Sequence, residues 1–297
     1  MFEIKYRPEK LDYETFARVD GPCFPDEPIE SARFTEMLTQ DFWAAFDDQG
    51  FIGFGYVVLK PAFAWIARVA VSPDRRGRGV GTRLMETMLE HCRKHGRSRV
   101  ILYVMQDNAA AIRLYHKFGF SERETTYQYV VPIRKFLDSC RRPPSGAAET
   151  SGPAETSGPA EASGSSQAAG PAETFGPVTA VPINEADPEA LPSFPEEWAD
   201  IASMHDPPKN HVLIFMTDKA ETTGFCRLSP EFPGCFPFVV DGSPVNRLAR
   251  ILCSLERYLN PGKEILKLTF PDGTLADECE RLGFKLNYKL FKMEKAG

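Results

Sequence analysis

Metal-ligand spacing, long apolar runs and a dominant charge sign are all missing from this chain of 297 residues. Its seven cysteines are odd in number and no two form a C-x-x-C pair, which argues against a disulfide framework and a zinc site. No metal is therefore expected, and a reducing, cytoplasmic setting is. Arg68 interrupts the longest strand-like apolar stretch well short of the roughly 18 residues that a membrane span needs. "MFEIKYRPEK" has neither the apolar core nor the cleavage site of a signal peptide, so no membrane partner is expected. A net charge of −6 offers no overall basic field, and no nucleic-acid module is present; nucleic acid is not expected as a partner. Two phosphate motifs are absent as well. There is no G-x-x-x-x-G-K-[ST], and Gly77, Gly79 and Gly81 fall short of G-x-G-x-x-G, with Thr82 where the third glycine belongs.

What the chain does contain begins with an internal repeat. From Ser145 it runs through imperfect hexads, SGAAET, SGPAET, SGPAEA, SGSSQA and AGPAET, which cannot build a core. Residues 138–177 are therefore expected to be a flexible linker between a domain at 1–137 and another at 178–297. In the first, "MFEIKYR", "DFWAAF", "FIGFGYVVLK", "AFAWIARVAV" and "RVILYVM" are expected strands. Val80, Leu84, Met88 and Cys92 form the apolar stripe of a helix that stops at Gly96. Asn108 is a good N-cap for "AAAIRLYHKF", and "SERETTYQYVVPIRKF" is expected to close as a hairpin. The order is βααβββαβαββ, an α/β fold with a mixed sheet and helices on both faces.

The stretch "RRGRGVG" places three glycines and three arginines immediately before a helix. Backbone N–H groups there can face an anion, the helix dipole adds about half a positive charge, and Arg75, Arg76 and Arg78 surround the turn. Between 75 and 99 eight Lys/Arg stand against two Glu, so the positive field is local in an acidic chain. A pyrophosphate suits such a loop.

These residues resemble a family. "RGRGVG" (76–81) looks like the pyrophosphate loop R/Q-x-x-G-x-G/A of the GNAT N-acetyltransferases, and "DNAAAIRLYHKFGF" (107–120) resembles their fourth-helix motif. The resemblance covers roughly 1–136 and implies acetyl-CoA as co-substrate, in a cleft where the fourth and fifth strands part. It implies pantetheine pairing with the main chain of Val69, Ala70 and Val71. It also implies that the pyrophosphate lies on the N–H groups of Arg76, Gly77, Arg78, Gly79, Val80, Gly81 and Thr82, with Asn108 holding the pantetheine arm. Tyr115 falls at the proton donor to the departing thiolate, a role that suits a phenol of pKa about 10. The implied activity is transfer of an acetyl group to a primary amine, in a peptide or a small molecule, by direct attack. The helix looks most like that of enzymes acetylating protein N-termini, such as the ribosomal-protein alanine acetyltransferases. One departure stands out. Relatives often place a glutamate base on the fourth or fifth strand, but here Trp65 and Tyr103 stand near those places. Asp26, Glu27 and Glu30 of "CFPDEPIE", or a water relay, are the alternatives. A non-catalytic acyl-CoA sensor or scaffold is the rival reading.

The second domain repeats the order of elements. "FWAAFDDQGFIGFGYVVL" has a counterpart in "VLIFMTDKAETTGFCRLS", and "YVMQDNAAAIRLYHKFGF" in "LTFPDGTLADECERLGF". It looks like a degenerate GNAT copy: "DGSPVN" has one glycine and no arginine where the loop belongs, and Cys279 stands where Tyr115 stood. Cys279 is expected to be a buried small apolar residue rather than a nucleophile. The two copies are expected to pack together.

Overall fold

Side chains of one strand, Asp41–Asp47, serve two cores. Phe42 and Ala44 enter one apolar cluster with Phe16, Phe34 and Phe54, whereas Trp43 and Ala45 enter another with Leu84, Met88 and Leu102. The strand's two-residue period thus produces a sheet covered on both faces. The computed structural model describes residues 1–141, 177–186, 201–230, 234–241 and 247–296. The hexads and most of the expected linker lie outside the described residues. No helix among those described is long and apolar enough to cross a membrane.

Two compact units are present. The first is built on Met1–Gln128 and the segment from Leu286, and the second on described residues from Tyr129 to Lys285, apart from 201–203, which pack with the first. They do not coincide with sequential halves of the chain.

The first unit opens with β1 (Phe2–Tyr6), α1 (Tyr13–Cys23) and α2 (Ser31–Leu38). Asp12 caps α1, its side chain accepting from Thr15 N–H at 2.8 Å. β2 (Asp41–Asp47), β3 (Gly50–Leu59) and β4 (Ala64–Val71) form an antiparallel meander with β1 on its edge. α3 (Val80–Lys94) buries Val80, Leu84, Met85, Met88 and Cys92, the stripe read from the sequence, and ends before Gly96, whose φ is +70°. β5 (Val100–Met105) and α4 (Ala109–Lys117) follow. Asn108 caps α4 as expected, accepting from Ala111 N–H at 3.1 Å.

The hairpin expected after α4 is not formed. β6 (Ser121–Val131) is one continuous strand, and Pro132 leads into α5 (Ile133–Arg141), with Phe136 N–H bonded to Pro132 O at 2.9 Å. Proline lacks an N–H, which costs a helix nothing in its first turn, and "IRKFLDSCR" is amphipathic with Ile133 and Leu137 buried. α5 runs to Arg141, beyond the residue where the linker was expected to start. The antiparallel neighbour of β5 is instead β12 (Lys285–Lys295), in register from Leu290 opposite Met105 to Lys295 opposite Val100. Met293 of β12 is fully buried in the α3-side cluster, and Glu294 pairs with Arg99 at 3.3 Å.

The second unit repeats the plan. β7 (Val178–Pro182), β8 (His211–Thr217), β9 (Thr222–Ser229) and β10 (Gly234–Val240) form an antiparallel meander. α6 (Arg247–Ser254) leads to β11 (Leu266–Phe270), parallel to β10, and α7 (Gly273–Arg281) follows. Tyr129 stacks on Phe270 with ring centroids 5.9 Å apart and donates its hydroxyl to Glu280 at 3.0 Å. The stretch expected to replace the glycine loop, "DGSPVN", lies outside the described residues beyond Asp241.

Candidate functional site

β4 and β5 run parallel and pair only at Ala64 with Val100 and Trp65 with Ile101. Beyond these two positions the strands part, and a cavity of about 710 Å³ opens between them within the first unit. The β3–β4 register shifts between Tyr56 and Val57, so Ala67 is an unpaired bulge residue in β4 at the point of divergence. A bulge bends a strand and re-aims its side chains. Here the edge of β4 that would bond β5 is left facing the cavity.

All the residues expected to hold acetyl-CoA or to donate the proton line this cavity except Arg78. Val69, Ala70 and Val71 supply one wall, and the turn from Arg76 to Thr82 another. Gly77 and Gly79 have φ of +75° and +84°, a left-handed backbone that a side chain would strain. Gly79 is the N-cap of α3 and offers no side-chain cap. The helix's own bonding begins with Arg83 N–H to Gly79 O at 3.0 Å, so the N–H groups of Val80, Gly81 and Thr82 have no acceptor within the helix. Such a turn is suited to an anion by both geometry and dipole.

The three arginines of the turn part company. Arg75 is a strut: it bonds Asp47 at 2.7 Å and also contacts Asp74 and Gln49, holding Asp47 below the usual carboxylate range. Arg76 donates to Val71 O at 3.1 Å and lies 3.5 Å from Cys23 Sγ at the cavity wall. Arg78 is exposed and outside the lining. Only Arg76 of the three is thus both on the cavity and without a carboxylate contact among those described.

Tyr115 sits on α4 with 8% of its surface exposed, packed against Phe120 and bordering the cavity. Burial pushes its phenol up to about 12, so the hydroxyl keeps its proton throughout the neutral range. Among the carboxylates proposed for the missing base, Asp26 and Glu27 line the cavity and Glu30 does not; Tyr103 lines it and Trp65 does not.

Several lining residues escaped the sequence reading. Tyr288 and Leu290 come from β12 and Gln128 from β6, with Asn287 Nδ2 donating to Gln128 Oε1 at 2.8 Å. Arg68 is tied to the fully buried side of Asp20 at 2.8 Å, donates to Glu27 O at 2.7 Å, and lies 3.6 Å from the centre of the Phe24 ring. Asp20 also accepts from Ile29 N–H at 2.8 Å. This buried pair pins the α1–α2 connection against β4. An arginine in an otherwise apolar strand, and an aspartate near the end of α1, were the visible signals.

Residues 10–120 match the model of the Acetyltransferase (GNAT) family. The chain is 33% identical over 140 residues to a mycothiol acetyltransferase of Saccharomonospora viridis, a match covering 40% of this chain and 45% of that protein. It spans less than half the length of the curated relatives it matches. A GCN5-related N-acetyltransferase structure from Sphaerobacter thermophilus superposes with a TM-score of 0.60 at 16% identity, over 99% of this chain and 95% of that one. A tandem GNAT protein from the clavulanic acid biosynthesis pathway does so with 0.57 at 13% identity, over 100% and 98%. At such identities the likeness concerns the fold, and it extends over both units. Residues 10–120 are therefore similar to the GNAT acetyltransferase family, within a chain whose fold resembles that of a tandem GNAT protein.

Proposed function

We propose that the chain is an acetyl-CoA-dependent N-acetyltransferase whose chemistry resides in the first unit. The observation that carries this is one cavity bordered by both an uncapped helix turn, with free N–H groups at Val80–Thr82, and a buried phenol at Tyr115. The first suits a pyrophosphate and the second suits a departing thiolate. The residues present fit acetyl-CoA on this ground. The N–H groups of the turn and Arg76 would hold its phosphates, the parted edge of β4 at Val69–Val71 would pair with pantetheine, and Asn108 retains amide donors beyond its capping oxygen.

Acetyl-CoA supplies the thioester. The protein's part is to bring a neutral amine to it, because an amine of pKa about 10.4 is nearly all protonated at neutral pH. The amide C–N bond forms as the C–S bond breaks. The amine's proton leaves to a carboxylate of the α1–α2 connection or to water, and Tyr115 donates a proton to the thiolate and later regains one from solvent. The acceptor is a primary amine in a peptide or small molecule.

The absence of a carboxylate on β4 and β5 favours a second reading, a non-catalytic acyl-CoA sensor. Calorimetry with acetyl-CoA on the full chain, followed by turnover with a panel of amines, decides between them. Binding with turnover supports the enzyme, binding without turnover the sensor, and no binding ends both.

A further inference from the structure

The strands of the first unit end at β1. Its inner edge bonds β2, and among the described residues no strand lies beyond its outer edge. Just past the strand, Arg7 N–H donates to Phe42 O at 2.9 Å, which fixes the alternation of the ladder. Residues 3, 5 and 7 therefore turn their N–H and C=O groups toward β2, and those of Phe2, Ile4 and Tyr6 point away from it. An edge with free donors and acceptors is a template for another strand.

The sequence of that edge, FEIKY, matches its own reversal. In two copies set antiparallel with Ile4 opposite Ile4, Phe2 of each faces Tyr6 of the other. Glu3 of each likewise faces Lys5 of the other. The Ile4 pair and both Phe2–Tyr6 pairs fall at hydrogen-bonded positions, so they use the backbone groups that β2 leaves free. The Glu3–Lys5 pairs fall at non-hydrogen-bonded positions, where opposed side chains come closest. Glu3 and Lys5 are exposed, and within one chain they already pair at 2.7 Å on the same face of the strand. The nearest registers that keep the bonding alternation set Glu3 against Glu3 or Lys5 against Lys5. Charge thus selects one register. On the opposite face Phe2, Ile4 and Tyr6 border a groove of about 790 Å³ beside α3, and Tyr6 stays 46% exposed. Pairing brings Phe2 of the other copy alongside that ring.

We propose that β1 is a homodimerisation edge: two copies of this chain join antiparallel across Ile4 and continue the sheet, with Glu3 and Lys5 setting the register. The occupant is a second copy because the charges and the aromatic rings complement themselves only when the same strand is reversed. A five-residue strand makes a small interface, so the dimer is a weak, concentration-dependent one. The inference is independent of any reading of the cavity.

The test is sedimentation velocity on the full chain from micromolar to near-millimolar concentration. The unaltered chain should pass from monomer to dimer. Lys5→Glu sets two glutamates against each other at both pairs, Glu3→Lys two lysines, and each alone should weaken the dimer about tenfold or more. A mixture of these two variants restores opposite charges at every pair and should dimerise again. So should the doubly exchanged chain, Glu3→Lys with Lys5→Glu. Ile4→Pro removes the central N–H while sparing every bond to β2, and should abolish the dimer with an unchanged circular dichroism spectrum. An unaltered chain that stays monomeric throughout overturns the inference and leaves the edge to some other partner. A dimer indifferent to the charge changes or to the proline overturns it as well, as does a mixture that stays monomeric.

Discussion

Helices α4 and α7 are built to one design and do different things. Each has nine residues, a side-chain cap at its start and a left-handed glycine after its end: Asn108 and Gly119 for α4, Asp272 and Gly283 for α7. Asn108 accepts from Ala111 N–H at 3.1 Å, and Asp272 from Thr274 N–H at 2.8 Å. After each glycine a phenylalanine N–H turns back, Phe120 to Tyr115 O and Phe284 to Cys279 O. Four residues before the glycine the helices diverge, with Tyr115 bordering a large cavity and Cys279 wholly buried. Burial pushes the Cys279 thiol up to about 12, far from the thiolate a nucleophile needs. Caps and terminal glycines thus belong to the scaffold, and chemistry depends on what one position faces.

The sharpest way to break this comparison is to disable the turn that only the first unit is seen to have. Gly79→Glu combines a side chain at φ +84° with a negative charge where an anion should sit, and should abolish acetyl-CoA binding. Calorimetry showing wild-type affinity would move the cofactor to another place. Next in size is Tyr115→Phe, expected to lower kcat by roughly 10–1000-fold, the range that loss of a general acid commonly costs. Acetyl-CoA affinity should stay within a few-fold. Cys279→Ala should leave turnover unchanged, and equal losses from the two substitutions would erase the distinction between the helices.

A smaller effect is visible in alkali. Tyr115 and Cys279 are both raised to about 12 by burial, from ordinary values of 10.0 and 9.0. The unfolded chain therefore releases these protons first, and the stability they contribute is present below those ordinary values and lost as pH rises toward 12. In urea unfolding across this window, Cys279→Ala should flatten the decline that begins near 9 and Tyr115→Phe the one that begins near 10. Unaltered slopes would mean neither group titrates with unfolding. The smallest effects concern the caps. Asn108→Ala and Asp272→Ala should each cost about 1 kcal/mol in stability. Only the former should also raise KM for acetyl-CoA, and a similar rise from Asp272→Ala would assign the second unit a share of the site.

Much of this was legible because the relevant interactions are local. The glycine turn, the stripe on α3, the cap at Asn108 and the terminal glycines each involve neighbours a few residues apart, and local geometry demands particular residue types there. The repeat of elements from "FWAAF" to "LGF" was visible for the same reason. Which strand lies beside β5 was not. "TTYQYVV" and "NYKLFKME" alternate comparably, and nothing in either names its neighbour. Pro132 does mark a break after β6, yet a proline after a strand fits a turn and a first helical turn equally well. Tyr288 and Leu290 were missed as a consequence, since their place on the cavity follows from that strand order. Arg75 was read as part of the anion site because its count as a cation is local, whereas its partner Asp47 is in another turn of the chain.

The position of β12 also sets a clock. A ribosome makes roughly 5–20 residues per second, so the strand that flanks β5 emerges on the order of ten seconds or more after β5 itself. During that interval the β5 edge, with its free N–H and C=O groups, awaits a strand still being synthesised, and open edges of this kind invite the wrong partner. Nascent chains stalled before residue 285 should accordingly engage chaperones, and release of the remaining segment should end that engagement.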